Sequence, residues 1–398
     1  MIFHKAAFFC ACPAGNMMQM NTYGIMRRIY GRIVMGNSKE ESYTILALQG
    51  IRGAAILLIM ISHSNLIQNR DGANTGGWLG AMGVSFFIIL SGYLAARNNW
   101  EKELGLSWIK GELRKKIRKF YPLHAATLCL SLPLNKALFT YGNRWKGITG
   151  FIINACLLQS WIPRRELYFS FNSVSWYLTL AVFFIAVTPL IIFILKKLCL
   201  TYIIMILITG FLSQFLLAFS VSGRMEAHWI VYICPIVRMF DFFAGGGLYC
   251  IEKKINRVKY RASLINIVTS VILGINVLAA VISLKGGHEL FSAAAWTAPA
   301  MGLLLCMVLE CPGNRVKKIL FEDRGIVFLG NISFELFLIH QLCIRYVLKI
   351  SSMLEMEDKR YIYIAALGAA VTMSAVYHNG KIRFSSSENG SGKWRKRN

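Results

Sequence analysis

Leu167–Leu195 reads LYFSFNSVSWYLTLAVFFIAVTPLIIFIL, and after Lys196-Lys197 the chain resumes with Leu198–Gly223, LCLTYIIMILITGFLSQFLLAFSVSG. Neither stretch holds an Asp, Glu, Lys or Arg. A helix crosses ~30 Å of hydrocarbon in ~20 residues, so each is long enough to span a bilayer. Outward from this pair lie Gly53–Asn69, Gly72–Ala96, Ala262–Leu284, Leu290–Leu309 and Tyr361–Gly380, all equally free of charge. With 56% hydrophobic and 16% charged residues, the 398-residue chain carries more apolar surface than a soluble core of this length hides. The net charge of +25 does not point to nucleic acid, because the cations sit between the apolar segments. The bilayer is the expected partner, and no nucleic acid is.

The basic clusters set the orientation, since cytoplasmic loops collect Lys and Arg. Arg97–Lys119 holds eight, Glu252–Arg261 five, Cys311–Arg324 four and the tail after His378 six. They share one side if the spans are about 45–66, 76–96, 120–139, 174–195, 199–221, 229–250, 262–284, 290–310, 325–347 and 361–378. The expected fold is therefore all-α: a polytopic bundle of about ten spans with both termini cytoplasmic. Phe151–Trp161 is read as re-entrant or interfacial, because an eleventh crossing there would separate the clusters. Five basic residues between Lys136 and Arg165 still remain outside.

Three regions follow. Residues 1–44 are an N-terminal segment whose His4-Lys5 and Ala6–Cys12 imitate a short signal peptide. Met26 and Met35 are alternative starts there. Residues 45–378 form the membrane domain, and 379–398 a polar basic tail. The ten cysteines show no metal or disulfide spacing and read as small packing residues; no metal site is expected.

An ionisable residue inside a span is costly and so is a functional candidate. Arg52 and His63 are eleven apart, which returns them to nearly one helix face about 16 Å along the axis. A guanidinium there can hold phosphate while an imidazole accepts a hydroxyl proton. The bland alternative, a snorkelling arginine and a histidine bonded to a backbone carbonyl, weighs about equally on spacing alone. Arg238 and Asp241, three apart, fit an internal structural ion pair. Glu335 and His340, five apart, are poorly aligned for pairing within their helix. Small residues at four-residue spacing (Gly76/Gly80, Ser91/Ala95, Gly92/Ala96) and the run Gly245–Gly247 suit close helix contact.

Leu48-Gln49-Gly50-Ile51-Arg52-Gly53-Ala54-Ala55 followed by His63 resembles the first-helix signature of the acyltransferase family 3 membrane proteins, and Gly80–Leu94, with Ser91 and Tyr93, resembles their second-helix motif. Lys115–Pro122 is similar to the family's basic stretch before the third helix, where two arginines stand three apart. Here Lys115, or Arg114 one residue earlier, precedes Arg118. Ser173–Thr179 with Trp176, Pro235–Gly246 with Arg238 and Asp241, and Leu329–His340 with Glu335 continue the resemblance in order. Ser85 stands where many members have Asp, and Asp241 where they have Glu.

The resemblance implies a membrane-bound O-acyltransferase of the plasma (inner) membrane. It would move a short acyl group, acetyl being the commonest expectation, from acyl-CoA to a hydroxyl of a cell-surface or exported carbohydrate. Acyl-CoA is then donor substrate and the carbohydrate acceptor, with no bound cofactor. His63 and Arg52 are the expected catalytic residues. Lys115, Arg118 and Arg114 would bind the donor, with Ser91, Tyr93, Trp176, Arg238, Asp241, Glu335 and His340 supporting. Two rivals stand beside this: a polytopic transporter of a polar solute, and an inactive family member. The sequence sets no oligomeric state.

Overall fold

The computed structural model describes residues 39–63, 77–140, 142–256, 262–285, 294–309 and 314–394. Helix α1 spans Lys39–Ser62, α2 Gly77–Asn99 and α3 Leu106–Ser131. A short α4, Arg144–Ala155, precedes α5 at Trp176–Lys197, α6 at Leu200–Val221 and α7 at Pro235–Ile255. Then follow α8 (Ala262–Lys285), α9 (Ala294–Val308), α10 (Arg315–Phe321), α11 (Arg324–Asn331), α12 (Ser333–Met353) and α13 (Lys359–Trp394). Among the described residues there is no strand.

Among the described residues, seven helices are long and apolar enough to cross a membrane: α2, α5, α6, α7, α8, α12 and α13. Helices α1 and α9 carry shorter apolar stretches, Leu46–Ser62 and Ala294–Val308. The chain is an all-α polytopic bundle. Helix α2 is its axis, with 72% of its most apolar window buried, whereas α6 and α8 bury 22% and 17% and turn Leu216, Phe219, Ile267 and Leu278 outward. An apolar helix left uncovered in this way needs lipid against it.

Small residues explain how the centre closes. A Cβ added to Gly92 on α2 would collide with the Phe242 carbonyl of α7, and one on Gly245 of α7 with the Ile89 carbonyl of α2. These glycines let two backbones touch, which is close helix contact rather than a loosened helix.

Several expected boundaries move. The span placed at 120–139 is a helix from Leu106 to Ser131, so the basic run rides on the same helix, and residues Leu132–Phe139 form a tighter turn broken at Asn135. Pro133 at the start of that turn and the Asn135 side chain donating to Ser131 O at 2.6 Å end the α-helix there. The span at 325–347 is split at Ile332 into α11 and α12. The helix placed at 361–378 continues through the polar tail to Trp394. Helix α4 has 12 residues, about 18 Å, too short to cross by itself, and the left-handed Leu157 follows it. The first 38 residues lie outside the described ones, as do Cys10, Cys12 and Cys311. Of the other cysteines, Cys234, Cys306 and Cys343 are buried, Cys250 is half-buried, and Cys129, Cys156 and Cys199 are exposed, which core packing does not account for.

Candidate active site

One end of the bundle is hollow. A cavity of about 510 Å³ lies between α1, α2, α3, α5, α7 and α12. Its apolar wall includes Leu90, Leu94, Ala181, Phe184, Ile185 and Phe242, and its polar groups are Arg52, Ser91, Tyr177 and Ser333 within and Lys102, Glu112, Lys116 and Lys119 towards the basic loop.

Arg52 enters the cavity from α1, its Nη1 donating to Gln49 Oε1 at 3.3 Å. Tyr177 and Glu335 are its electrostatic neighbours. Ser91 donates its hydroxyl to Phe87 O at 2.7 Å and lines the cavity together with Tyr177. Trp176 is buried behind Tyr177, edge-on to it at 6.2 Å and tilted against Tyr232 at 5.0 Å. Tyr93 is buried on another face of α2, where its hydroxyl donates to Glu252 at 2.9 Å and accepts from Arg97 at 3.2 Å.

The basic stretch divides by helix face. All five cations are exposed, but only Lys116 and Lys119 line the cavity, whereas Arg114, Lys115 and Arg118 lie outside its lining, Lys115 paired with Glu112 at 2.6 Å. The buried face of α3 carries Phe120, Leu123 and Thr127. Stepping back four residues from Phe120 gives Lys116, and four from Leu123 gives Lys119. That 3–4 spacing was the available signal for the two lysines sequence reading passed over. Burial first, with repulsion from Arg52 behind it, holds the Lys116 ammonium below the usual lysine range. Burial also lowers Lys119, assisted by Lys116, Arg52 and Lys381. Crowded cations at a cavity mouth attract an anion.

His63 ends α1 and meets His340 of α12, the ring centroids 5.0 Å apart and the planes 73° to each other. Each ring is held by a carbonyl one turn back: His63 Nδ1 lies 2.8 Å from Ile59 O and His340 Nδ1 2.9 Å from Leu336 O. With Nδ1 donating, the basic nitrogen of each is Nε2, and that of the fully buried His340 has no hydrogen-bond partner among the described residues. The cavity lining reaches Arg52 and Phe337 but not His63. Phe337 stands between the two regions, 5.4 Å from Tyr177 and 6.3 Å from His340. Arg52 and His63 are thus on one helix, with an aromatic ring between the cavity and the imidazoles.

Arg238 and Asp241 lie elsewhere, completely buried and paired at 2.8 Å. Arg238 also donates to Ser85 Oγ at 3.0 Å; Asp241 accepts from Gln214 at 3.0 Å and Thr297 at 2.7 Å. Gln214 and Thr297 carried no motif and were not singled out. Ser85 thus gives Arg238 a neutral acceptor beside its ion pair with Asp241, while the buried Arg238 Nε has no hydrogen-bond partner among the described residues.

Fold and site together define a polytopic membrane protein with a cationic cavity at one end and a histidine pair beyond it. A family model described as an acyltransferase domain matches residues 45–378. Acyltransferase MdmB of Streptomyces mycarofaciens is 25% identical over 329 residues, covering 75% of this chain and 79% of that protein. No solved structure matches. The chain belongs to acyltransferase family 3 and is a membrane acyltransferase.

Proposed function

We propose that the chain transfers a short acyl group, acetyl by expectation, from acyl-CoA to a hydroxyl of a cell-surface or exported carbohydrate across the plasma membrane. The observation that carries this reading is the cavity lined by Lys116, Lys119, Arg52 and Phe337, with His340 tilted against Phe337 and His63 edge-on to His340. The cationic mouth suits CoA phosphates, with Arg52 offering its forked donors deeper in. The excess of Lys and Arg in the neighbouring loops supports a cytoplasmic mouth, open to a cytoplasmic donor.

His63 acts as general base. Its Nδ1–H is held by Ile59 O, so Nε2 accepts the proton of the acceptor hydroxyl. The hydroxyl oxygen forms a bond to the thioester carbonyl carbon, the carbon–sulfur bond breaks, and the leaving thiolate takes the proton back from the imidazolium. The thioester meets His63 only past Phe337, so rotation of that ring belongs to the cycle.

The test is transfer of radiolabelled acetyl from acetyl-CoA by detergent-purified protein to a panel of oligosaccharides. Labelled product is expected with wild type and absent with His63→Ala. Failure to acylate any acceptor, together with no affinity for acetyl-CoA, would overturn the reading and favour solute transport.

A further inference from the structure

The polar end of α13 reaches back to the cavity. His378 Nδ1 lies 3.2 Å from Oε1 of Glu335, a carboxylate only 5% exposed. One turn on, Lys381 Nζ donates to Lys119 O at 2.8 Å. Both contacts fall on cavity walls: Lys119 lines the mouth, and Glu335 shares its turn of α12 with the lining residues Ser333 and Phe334. Glu335 is also an acidic neighbour of Arg52.

A buried carboxylate needs a partner. His378 is the cationic or donor group in contact with Glu335, while Arg52, Lys119 and Lys381 are its cationic neighbours and Arg52 is the one that enters the cavity from α1. While His378 holds the carboxylate, the guanidinium of Arg52 stays available to the cavity. Without it, Glu335 would draw Arg52 into an ion pair and withdraw it from any anion bound there.

We propose that His378 is a positioning residue for anion binding in the cavity, keeping Glu335 from capturing Arg52, and that Lys381 pins this end of α13 to α3. The inference rests on the reading of the cavity as the acyl-CoA site. It assigns a role to the first polar residues of the tail and none to those beyond Lys381.

Calorimetric titration of the purified full chain with acetyl-CoA tests it. His378→Ala should weaken binding about tenfold, roughly 1.4 kcal/mol, and Lys381→Ala about threefold. Adding Glu335→Gln to His378→Ala should restore affinity to near the wild-type value, which a merely structural loss would not allow. A chain stopped after Lys381 should bind as wild type does. Unchanged affinity in His378→Ala, or no recovery in the double variant, overturns the proposal. Arg52→Ala separates the two levels: if it leaves acetyl-CoA affinity intact, the donor reading falls and this proposal with it. If it weakens binding while His378→Ala does not, only the role of His378 falls.

Discussion

Two polar regions share this bundle and treat charge in opposite ways. The knot of Arg238, Asp241, Ser85, Gln214 and Thr297 is sealed, with one cation, one anion and neutral hydrogen-bonding groups around them. The cavity gathers Arg52, Lys116 and Lys119 around an open volume, with Glu112 alone as an acidic lining residue. Balanced charge in a dry interior holds α2, α6, α7 and α9 together. Unbalanced positive charge beside a cavity attracts anions. The difference teaches that a charged residue within the membrane is not by itself a site: whether its partners are already present decides.

Substitutions can break or sharpen this contrast. The largest effect is expected from His63→Ala, with the acyl-transfer rate falling about 10²–10⁴-fold while the melting temperature in detergent stays at the wild-type value. A parallel drop in melting temperature would place His63 with the structural residues. Asp241→Ala should do the reverse: it leaves a buried guanidinium unpaired, a loss of about 3–5 kcal/mol, seen as a lowered melting temperature and poor yield. Well-folded Asp241→Ala protein with acetyl-CoA affinity lost would move the knot into the binding site.

Lys116→Ala and Lys119→Ala should each weaken acetyl-CoA binding by about tenfold, since a hydrogen bond to a charged group contributes roughly 1.5–3 kcal/mol and neighbouring cations compensate part of it. That loss should shrink in high salt, as befits partly screened charges at a mouth. The smallest effect belongs to Arg118→Ala. Its side chain is exposed on the far face of α3, so affinity should change by less than about twofold. A larger loss there than at Lys116 would reverse the assignment of faces on that helix.

Much of this was legible before any coordinates. The uncharged stretches gave the membrane helices, because a chain in hydrocarbon must satisfy its backbone within each helix and keep charges out. Arg52, His63 and His340 stood out for the same reason, and the ordered motifs from Leu48 to His340 pointed to the family. The Arg238–Asp241 pair was readable from a spacing of three. Helix breaks were not: the span read over 325–347 stops at Ile332 and resumes at Ser333, and the last helix runs on past His378 and Lys381, whose contacts with Glu335 and Lys119 O lie far away in sequence.

The sequence by itself determined the solvent of this protein, the class of its fold and the residue types able to do chemistry, since hydropathy and local spacing act along the chain. Only the tertiary structure decided which lysines of a crowded basic run face inward, that His63 is paired with His340, that Phe337 stands before them, and that Arg238 is sealed away. Those are matters of which surfaces meet across helices, and a rotation of 100° per residue separates an inward side chain from an outward one next to it.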